Sequence, residues 1–214
     1  KDFSKIFDKK ADNFVIWMSS LGEFYKGIST YIFDQWFVEG KTMGLAPFGR
    51  PNIFPFDAFD FKNERITLRQ DWMQNFAELK SGEYQCFYEY FQQYADIAYW
   101  AQQQLEKAVI FSFNKLYELC PHDNVAYAGG IALNAVANSK LYKNTKFKNF
   151  YFQPAPGDNG LAIGCCYYGW LEHFKKERVP HNGSTYFGKT YKNQEAIKSL
   201  DNRKSEITYY ESKN

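Results

Sequence analysis

A short apolar run that ends in two glycines and then turns helical constrains this chain more than any other feature: VAYAGGIALNAVANSKLY, residues 125–142. Val125 to Ala128 reads as a buried strand, and Leu133 to Lys143 carries helical spacing. Gly129 and Gly130 between them reach backbone conformations closed to other residues and leave no side chain in a ligand's way. The helix that follows offers unpaired N–H groups and a positive partial charge, which suit a phosphate. A strand-to-helix turn in any α/β domain carries the same glycines, so the stretch alone leaves both readings open.

The flanking sequence extends the unit. Before it, Ile97, Ala101, Leu105, Ala108, Val109, Phe113, Leu116 and Cys120 form one apolar helical stripe, with Gln102, Glu106 and Lys107 off it and Pro121 as the stop. After it come a second strand, Phe150 to Gln153, the turn PAPGDNG, and a final helix over Leu161 to Lys176. Strands joined through a helix favour parallel pairing and a right-handed crossover. The expected sheet has strands near 124–128 and 149–153, flanked by helices near 96–119 and 160–176. Ligands of such sheets sit beyond the carboxyl ends of the strands, where both AGG and PGDNG fall, so two glycine-rich loops should converge on one crevice.

Upstream, residues 1–12 are polar and read as a loop or a cut end, and Phe14 to Met18 is a short apolar run. Leu21, Phe24 or Tyr25, Ile28, Tyr31 and Ile32 recur at helical spacing over Ser20 to Phe33, with Ser19 or Ser20 as cap. Gly40 to Gly49, with three glycines and a proline, reads as a loop. Ile53 to Leu68 alternates around the turn KNE and reads as a peripheral β-hairpin. From about Pro180 the composition becomes polar, and Asn193 to Ser199 starts another element. The expected division is one domain over 1–183 and, over 184–214, a connector or the start of a second domain.

Composition narrows the function classes. The 214 residues suffice for a substantial core, and a net charge of +2 with scattered Lys and Arg argues against nucleic acid or an anionic membrane as partner. The aromatic content of 20% lacks the interleaved basic residues of a nucleic-acid stacking platform. The longest apolar stretch, Gly160 to Leu171, is too short to span a bilayer. Cys86, Cys120, Cys165 and Cys166 show no CxxC spacing; Cys165 and Cys166 read as buried, inert thiols, and a reducing cytoplasm fits. The chain starts at Lys1, and the expectation is a piece of a longer protein.

Three segments taken together, SLGEFYKGISTY…EGKTMGLAPFG, AGGIALNAVANSKL and FKNFYFQPAPGDNGLAIG, closely resemble the ATP-dependent O-carbamoyltransferases of nodulation-factor and antibiotic biosynthesis. The later YFGKTY resembles the sequence that closes the first domain in that family, so the likeness runs over about residues 19 to 190. The resemblance implies an α/β chain that is the C-terminal half of an actin-like ATPase (ribonuclease H-like) domain. Its mixed sheet would be flanked by helices, with a peripheral β-hairpin. Such folds are related to sugar kinases and to the enzymes that make threonylcarbamoyl-adenosine in tRNA, and family members carry a second, adenylate-forming domain.

The same resemblance implies roles. Gly129 and Gly130 would present backbone N–H groups to the phosphate of ATP, Asn134 would hydrogen-bond the nucleotide, and Gly157 would belong to the second nucleotide loop. Asp158 matches an aspartate that ligates a metal, iron in the family, beside two histidines; its alternative is a helix N-cap, and the two roles are compatible. The family's paired histidines lie upstream in an HxxxH-like motif, and none of His122, His173 and His181 forms such a pair. Lys41 is the catalytic candidate, placed to meet anionic carbamoyl phosphate or the adenylate, with a solvated loop lysine as the alternative. Glu23 and Lys26 lie on the helix where related folds contact ribose.

The implied activity is transfer of a carbamoyl group from carbamoyl phosphate to a hydroxyl of a small molecule, through a carbamoyl-adenylate and with ATP; this piece alone would be inactive. The tRNA-modifying relative and a non-catalytic actin-like binding domain are the alternatives. EGKTMGLAPFG and the absence of a basic face argue against the first, and the joint presence of Gly129, Gly130, Asn134 and Asp158 against the second. The rest of the parent chain and a second copy are the expected protein partners. The acceptor pocket would draw on the hairpin and on the segment from Gln70 to Gln92.

Overall fold

The computed structural model describes residues 20–62, 65–69, 87–180 and 188–210. The Phe14–Met18 run and all of the Gln70–Gln92 segment up to residue 86 lie outside them.

Helix α1 (Leu21–Phe33) starts where its cap says it should: the Ser20 hydroxyl accepts from the Glu23 N–H at 3.0 Å. Its inner face buries Phe24, Tyr25, Ile28, Tyr31, Ile32 and Phe33. The glycine-rich segment expected to be a loop is instead helix α2 (Glu39–Leu45), followed by a 3-10 turn over Ala46–Phe48. Burial overrides propensity here. Gly40 and Gly44 each cost about 1 kcal/mol in a helix, but Thr42 and Leu45 are drawn into the core. Thr42 Oγ1 donates to Ser29 Oγ at 2.7 Å, and Ser29 Oγ donates to the Tyr25 carbonyl at 2.8 Å. Pro47 sits in the first turn of the 3-10 segment, where a missing N–H is tolerated.

Helix α3 (Phe91–Leu119), 29 residues long, is the spine. The predicted stripe is buried along Ile97, Ala101, Leu105, Ala108, Val109 and Phe113, whereas Leu116 is exposed near the end. A β-carbon on Gly49 would run into the Ala95 carbonyl and Tyr99 Cβ, so the turn after α2 lies directly against this helix. The next residue locks it there: the Arg50 N–H and guanidinium donate to the Asp96 carboxylate at 2.7 and 2.6 Å.

The hairpin pairs β1 (Phe59–Lys62) with β2 (Arg65–Leu68), antiparallel, with Phe59 opposite Leu68 and Phe61 opposite Ile66. It is not peripheral. Phe59 is in the core, 4.9 Å from the Phe24 ring, and the chain leading to it is held by α3 rather than by strand pairing. Trp100 Nε1 donates to the Phe56 carbonyl at 2.8 Å, and the Ala58 N–H donates to Gln104 Oε1 at 3.0 Å.

Strands β3 (Asn124–Tyr127) and β4 (Asn149–Phe152) run parallel, with Val125 opposite Phe150 and Tyr127 opposite Phe152. Between them lie a 3-10 turn, Gly130–Leu133, and helix α4 (Ala135–Asn144). The pair has one covered face: Tyr127 packs on Phe113 at 4.9 Å, while Ala126 and Tyr151 on the other face are exposed. The fold is therefore α/β as expected, but the described residues hold two separate two-stranded sheets, one antiparallel and one parallel, in place of one mixed sheet.

A 3-10 turn, Asp158–Gly160, leads into helix α5 (Leu161–Tyr168), which has no buried residue. Cys165 and Cys166 are accordingly exposed, not the buried thiols expected from the apolar run around them. The expected helix to Lys176 stops at Tyr168 and gives way to a π turn over Gly169–His173.

The chain divides into two compact units, residues 1–167 and 168–214. In the second, Trp170 Nε1 donates to the Glu177 carbonyl at 2.7 Å. Helix α6 (Asn193–Asp201) starts with the Glu195 carboxylate accepting from the Lys192 N–H at 2.9 Å, and beyond it Tyr209 donates to Asp201 at 2.7 Å. Among the described residues no helix is long and apolar enough to cross a membrane.

Candidate nucleotide site

The two glycine loops do converge. The Gly129 N–H donates to the Pro156 carbonyl at 2.7 Å, which ties AGG at the end of β3 to PAPGDNG at the end of β4. Gly129 has φ of +110°, a conformation that strains any residue with a β-carbon. That bond also corrects one expectation: the Gly129 N–H is used between the loops and is not free for a phosphate. The Gly130 and Ile131 N–H groups, by contrast, make no hydrogen bond among the described residues. Gly130 is exposed, and a β-carbon there would meet nothing within 4 Å. In the second loop, a Gly157 β-carbon would sit 3.9 Å from Leu133 Cδ1, across the gap between the loops.

Asn134 closes the first loop from behind. It is the N-cap of α4, its Oδ1 accepting from the Ala137 N–H at 2.9 Å, and it is only 7% exposed. Its Nδ2 donates to Gln102 Oε1 at 2.9 Å, while Gln102 Nε2 donates back to Asn134 Oδ1 at 3.1 Å. Gln102 Oε1 also accepts from the Tyr25 hydroxyl at 2.8 Å, and its Nε2 donates to Glu106 at 3.0 Å. Burial pushes the Tyr25 hydroxyl well above its ordinary pKa; the polar Asn134 side chain opposes this and the nearby Glu106 charge adds to it.

The Gln102–Glu106 pair was missed in the sequence, where both residues sit off the apolar stripe and read as surface. They are 4% and 8% exposed. Their spacing of four residues on one helical face, beside the small Ala98 and Ala101, was the available signal.

Asp158 is exposed, and its carboxylate makes no hydrogen bond or ion pair among the described residues. Gly157, not Asp158, is the N-cap residue of the short turn. Asp158 is one oxygen donor, and the described residues contain no group of three His, Cys, Asp or Glu side chains able to hold a metal ion. The described residues alone therefore do not make a metal site. His122 is exposed and accepts from the Asn124 N–H at 3.0 Å, and His173 is exposed; His181 lies outside the described residues.

Lys41 is exposed on α2, not on a loop; its Nζ donates to Gln35 Oε1 at 3.1 Å and lies 5.7 Å from the Phe33 ring centroid. Neither partner belongs to the glycine loops. Lys26 pairs with Glu23 at 3.6 Å and lies 4.8 Å over the Trp36 ring, so these two residues satisfy each other and a neighbouring ring.

Two glycine-rich loops tied together at the carboxyl ends of two parallel strands are an arrangement of α/β proteins. Residues 4–167 match the family described as carbamoyltransferase N-terminus, and the chain belongs to that family. It is 32% identical over 196 residues to an uncharacterized protein of Synechocystis, covering 82% of this chain and 32% of that protein. It is 27% identical to nodulation protein NolO of Bradyrhizobium diazoefficiens, covering 83% of this chain and 33% of NolO. Over 68% of the chain it is 29% identical to nodulation protein NolNO of Sinorhizobium fredii, 22% of whose length is matched. The chain thus spans about a third or less of the length of these relatives.

Proposed function

We propose that this chain is part of an O-carbamoyltransferase, the part that holds the phosphate of a carbamoyl-adenylate or of ATP between its two glycine loops. The observation that carries the proposal is the pair of unbonded N–H groups at Gly130 and Ile131, beside an open turn that the Gly129–Pro156 bond holds against the second loop. Fixed backbone donors in such a place stabilise an anion without reorganising during the reaction. Carbamoyl phosphate would supply the carbamoyl group, water releasing its phosphate to leave carbamate, and a carbamate oxygen would displace pyrophosphate from ATP to form the carbamoyl-adenylate. A hydroxyl oxygen of a small-molecule acceptor then attacks the carbamoyl carbon and gives up its proton to solvent, the bond from that carbon to the phosphate oxygen breaks, and AMP is the leaving group. Exposed Lys41 is offered as a further anion contact.

The actin-like architecture belongs to the same proposal. It is supported by the strand–loop–helix–strand order and by the parallel pairing of β3 and β4, since parallel strands belong to sheets covered on both faces and only one face of this pair is covered by the described residues. Residues 184–214 would then be a connector or the start of a second domain. If iron or another divalent ion is bound in the full-length protein, Asp158 is the ligand this chain offers, and the others come from outside the described residues.

The test is nucleotide affinity in the full-length protein. Replacing Gly130 with valine puts a branched side chain over the free N–H groups and should weaken ADP binding by about tenfold or more. A folded Gly130→Val protein that binds ADP as tightly as wild type would overturn the phosphate-loop reading. Metal content and carbamoyl transfer of Asp158→Ala test the last part: metal and activity both retained would remove Asp158 as a ligand.

A further inference from the structure

Three elements place four polar side chains in one buried cluster behind the AGG loop: Tyr25 from α1, Gln102 and Glu106 from α3, and Asn134 at the start of α4. Capping alone does not require this. An N-cap needs one side-chain oxygen, and serine, threonine or aspartate supplies it as well as asparagine. The second arm of the Asn134 amide and its buried partner do something else.

We propose that Gln102 is a positioning residue: through its reciprocal amide pair with Asn134 it fixes the start of α4, and with it the direction of the Gly130 and Ile131 N–H groups. The inference rests on the nucleotide reading above and names what holds that site in shape. Gln102 is 4% exposed and reaches the loop through Asn134 alone. Its amide has two acceptor lone pairs and two N–H groups, and all four are used, on Tyr25, Glu106 and twice on Asn134.

The orientation of both amides is fixed from outside the pair. The Ala137 N–H can only donate, so Asn134 must turn its oxygen to it. Glu106 Oε1 is an acceptor, so Gln102 turns its nitrogen there. These two anchors leave one arrangement in which the amides meet by two hydrogen bonds. A doubly bonded amide pair resists both sliding and rotation of the helix start relative to α3, which apolar packing does less sharply. The constraint continues along the backbone: the Asn134 N–H donates to the Ile131 carbonyl at 2.9 Å and the Ala132 N–H to the Gly129 carbonyl at 3.0 Å. A loop held in its binding shape before the ligand arrives loses less freedom on binding.

The experiment measures the ADP dissociation constant of the full-length protein, well below every melting temperature, for wild type, Gly130→Val, Gln102→Met, Tyr25→Phe and Phe61→Leu. Gln102→Met keeps the volume and breaks all four bonds; an affinity loss of about tenfold is expected, the worth of one net hydrogen bond. Tyr25→Phe removes one hydroxyl from Gln102 and should lose about threefold, and it decides the matter if Gln102→Met does not fold. Phe61→Leu removes a hairpin ring that packs on Phe111 and touches none of Tyr25, Gln102, Glu106 and Asn134 in a ring contact or hydrogen bond; it should lower stability and leave ADP affinity unchanged, which separates positioning from general loosening. If wild type binds ADP and Gly130→Val does not, but Gln102→Met and Tyr25→Phe both bind like wild type, the positioning role is wrong and the nucleotide site stands. If wild type binds no ADP, the nucleotide reading falls and takes the positioning role with it.

Discussion

The two glycine-rich regions of this protein look alike as sequence and use glycine in opposite ways. In GLAPFGR the missing side chain of Gly49 is filled by helix α3, whose Ala95 carbonyl occupies the place a β-carbon would take. In AGG the missing side chains of Gly129 and Gly130 leave open space. The surroundings follow the same division. Around α1, α2 and α3 the polar groups are matched inside the fold, down to Thr42 on Ser29 and Arg50 on Asp96. At the ends of β3 and β4, the Gly130 and Ile131 N–H groups and the Asp158 carboxylate have no hydrogen-bond partner among the described residues. A glycine-dense motif therefore does not mark a ligand loop by itself. What separates the two regions is unmatched polarity beside the glycines, and within PGDNG the distinction falls inside a single turn, since a β-carbon on Gly160 would strike the Ala155 carbonyl.

Paired substitutions put this contrast at risk. The largest effect is expected for Phe24→Ala, which empties a fully buried site between Phe59 and Trp100 and should cost about 4 kcal/mol. Its counterpart Tyr151→Ser, at a residue 51% exposed on the outer face of β4, should stay within about 0.5 kcal/mol. Equal losses in urea melts would mean that the two regions are not differently packed.

Next comes the glycine pair. Gly49→Ala forces α3 and the turn apart and should cost about 2 kcal/mol. Gly130→Ala meets nothing and should change stability by no more than about 0.5 kcal/mol. A stability loss at Gly130 comparable to that at Gly49 would mean that the AGG loop is packed rather than open.

A smaller effect is tied to pH. Burial acts to raise the Asp96 pKa, but hydrogen bonds from the Arg50 side chain and backbone and from Gln92 outweigh it and hold the carboxyl below its ordinary 3.8. A depressed folded pKa means stability that is fully present above the unfolded value and is lost as pH falls through the folded one. Asp96→Asn should therefore be less stable than wild type by about 1.5 kcal/mol at pH 7. That gap should narrow as pH drops below 3.8. A gap independent of pH would show that the Asp96 charge contributes nothing and only its shape matters.

Local signals carried across from sequence to structure best. Ser20 caps α1 because the cap and its partner Glu23 are three residues apart, and β3 and β4 pair as expected because short apolar runs on either side of a helix have few alternatives. What failed depends on partners far along the chain. The segment around Lys41 reads as a loop from its glycines, and the burial of Thr42 against α1 and of Leu45 in the core makes it helical. The hairpin reads as peripheral because nothing near Phe59 announces Phe24. Cys165 and Cys166 read as buried because an apolar run implies cover, and no residue of α5 is fully buried by the described residues. In the candidate site, the glycines and Asp158 are legible as residue types at a strand end. Gln102, which meets Asn134 from 32 residues away, is not.

The Gly129–Pro156 hydrogen bond has a practical consequence. It puts one hydrogen-bonded amide in a stretch whose next two amides make no hydrogen bond among the described residues. The Gly129 N–H should take up deuterium later than those of Gly130 and Ile131, although all three lie in one turn at the molecule's surface. Its exchange rate is therefore a built-in gauge of how far the two loops part, readable without any label.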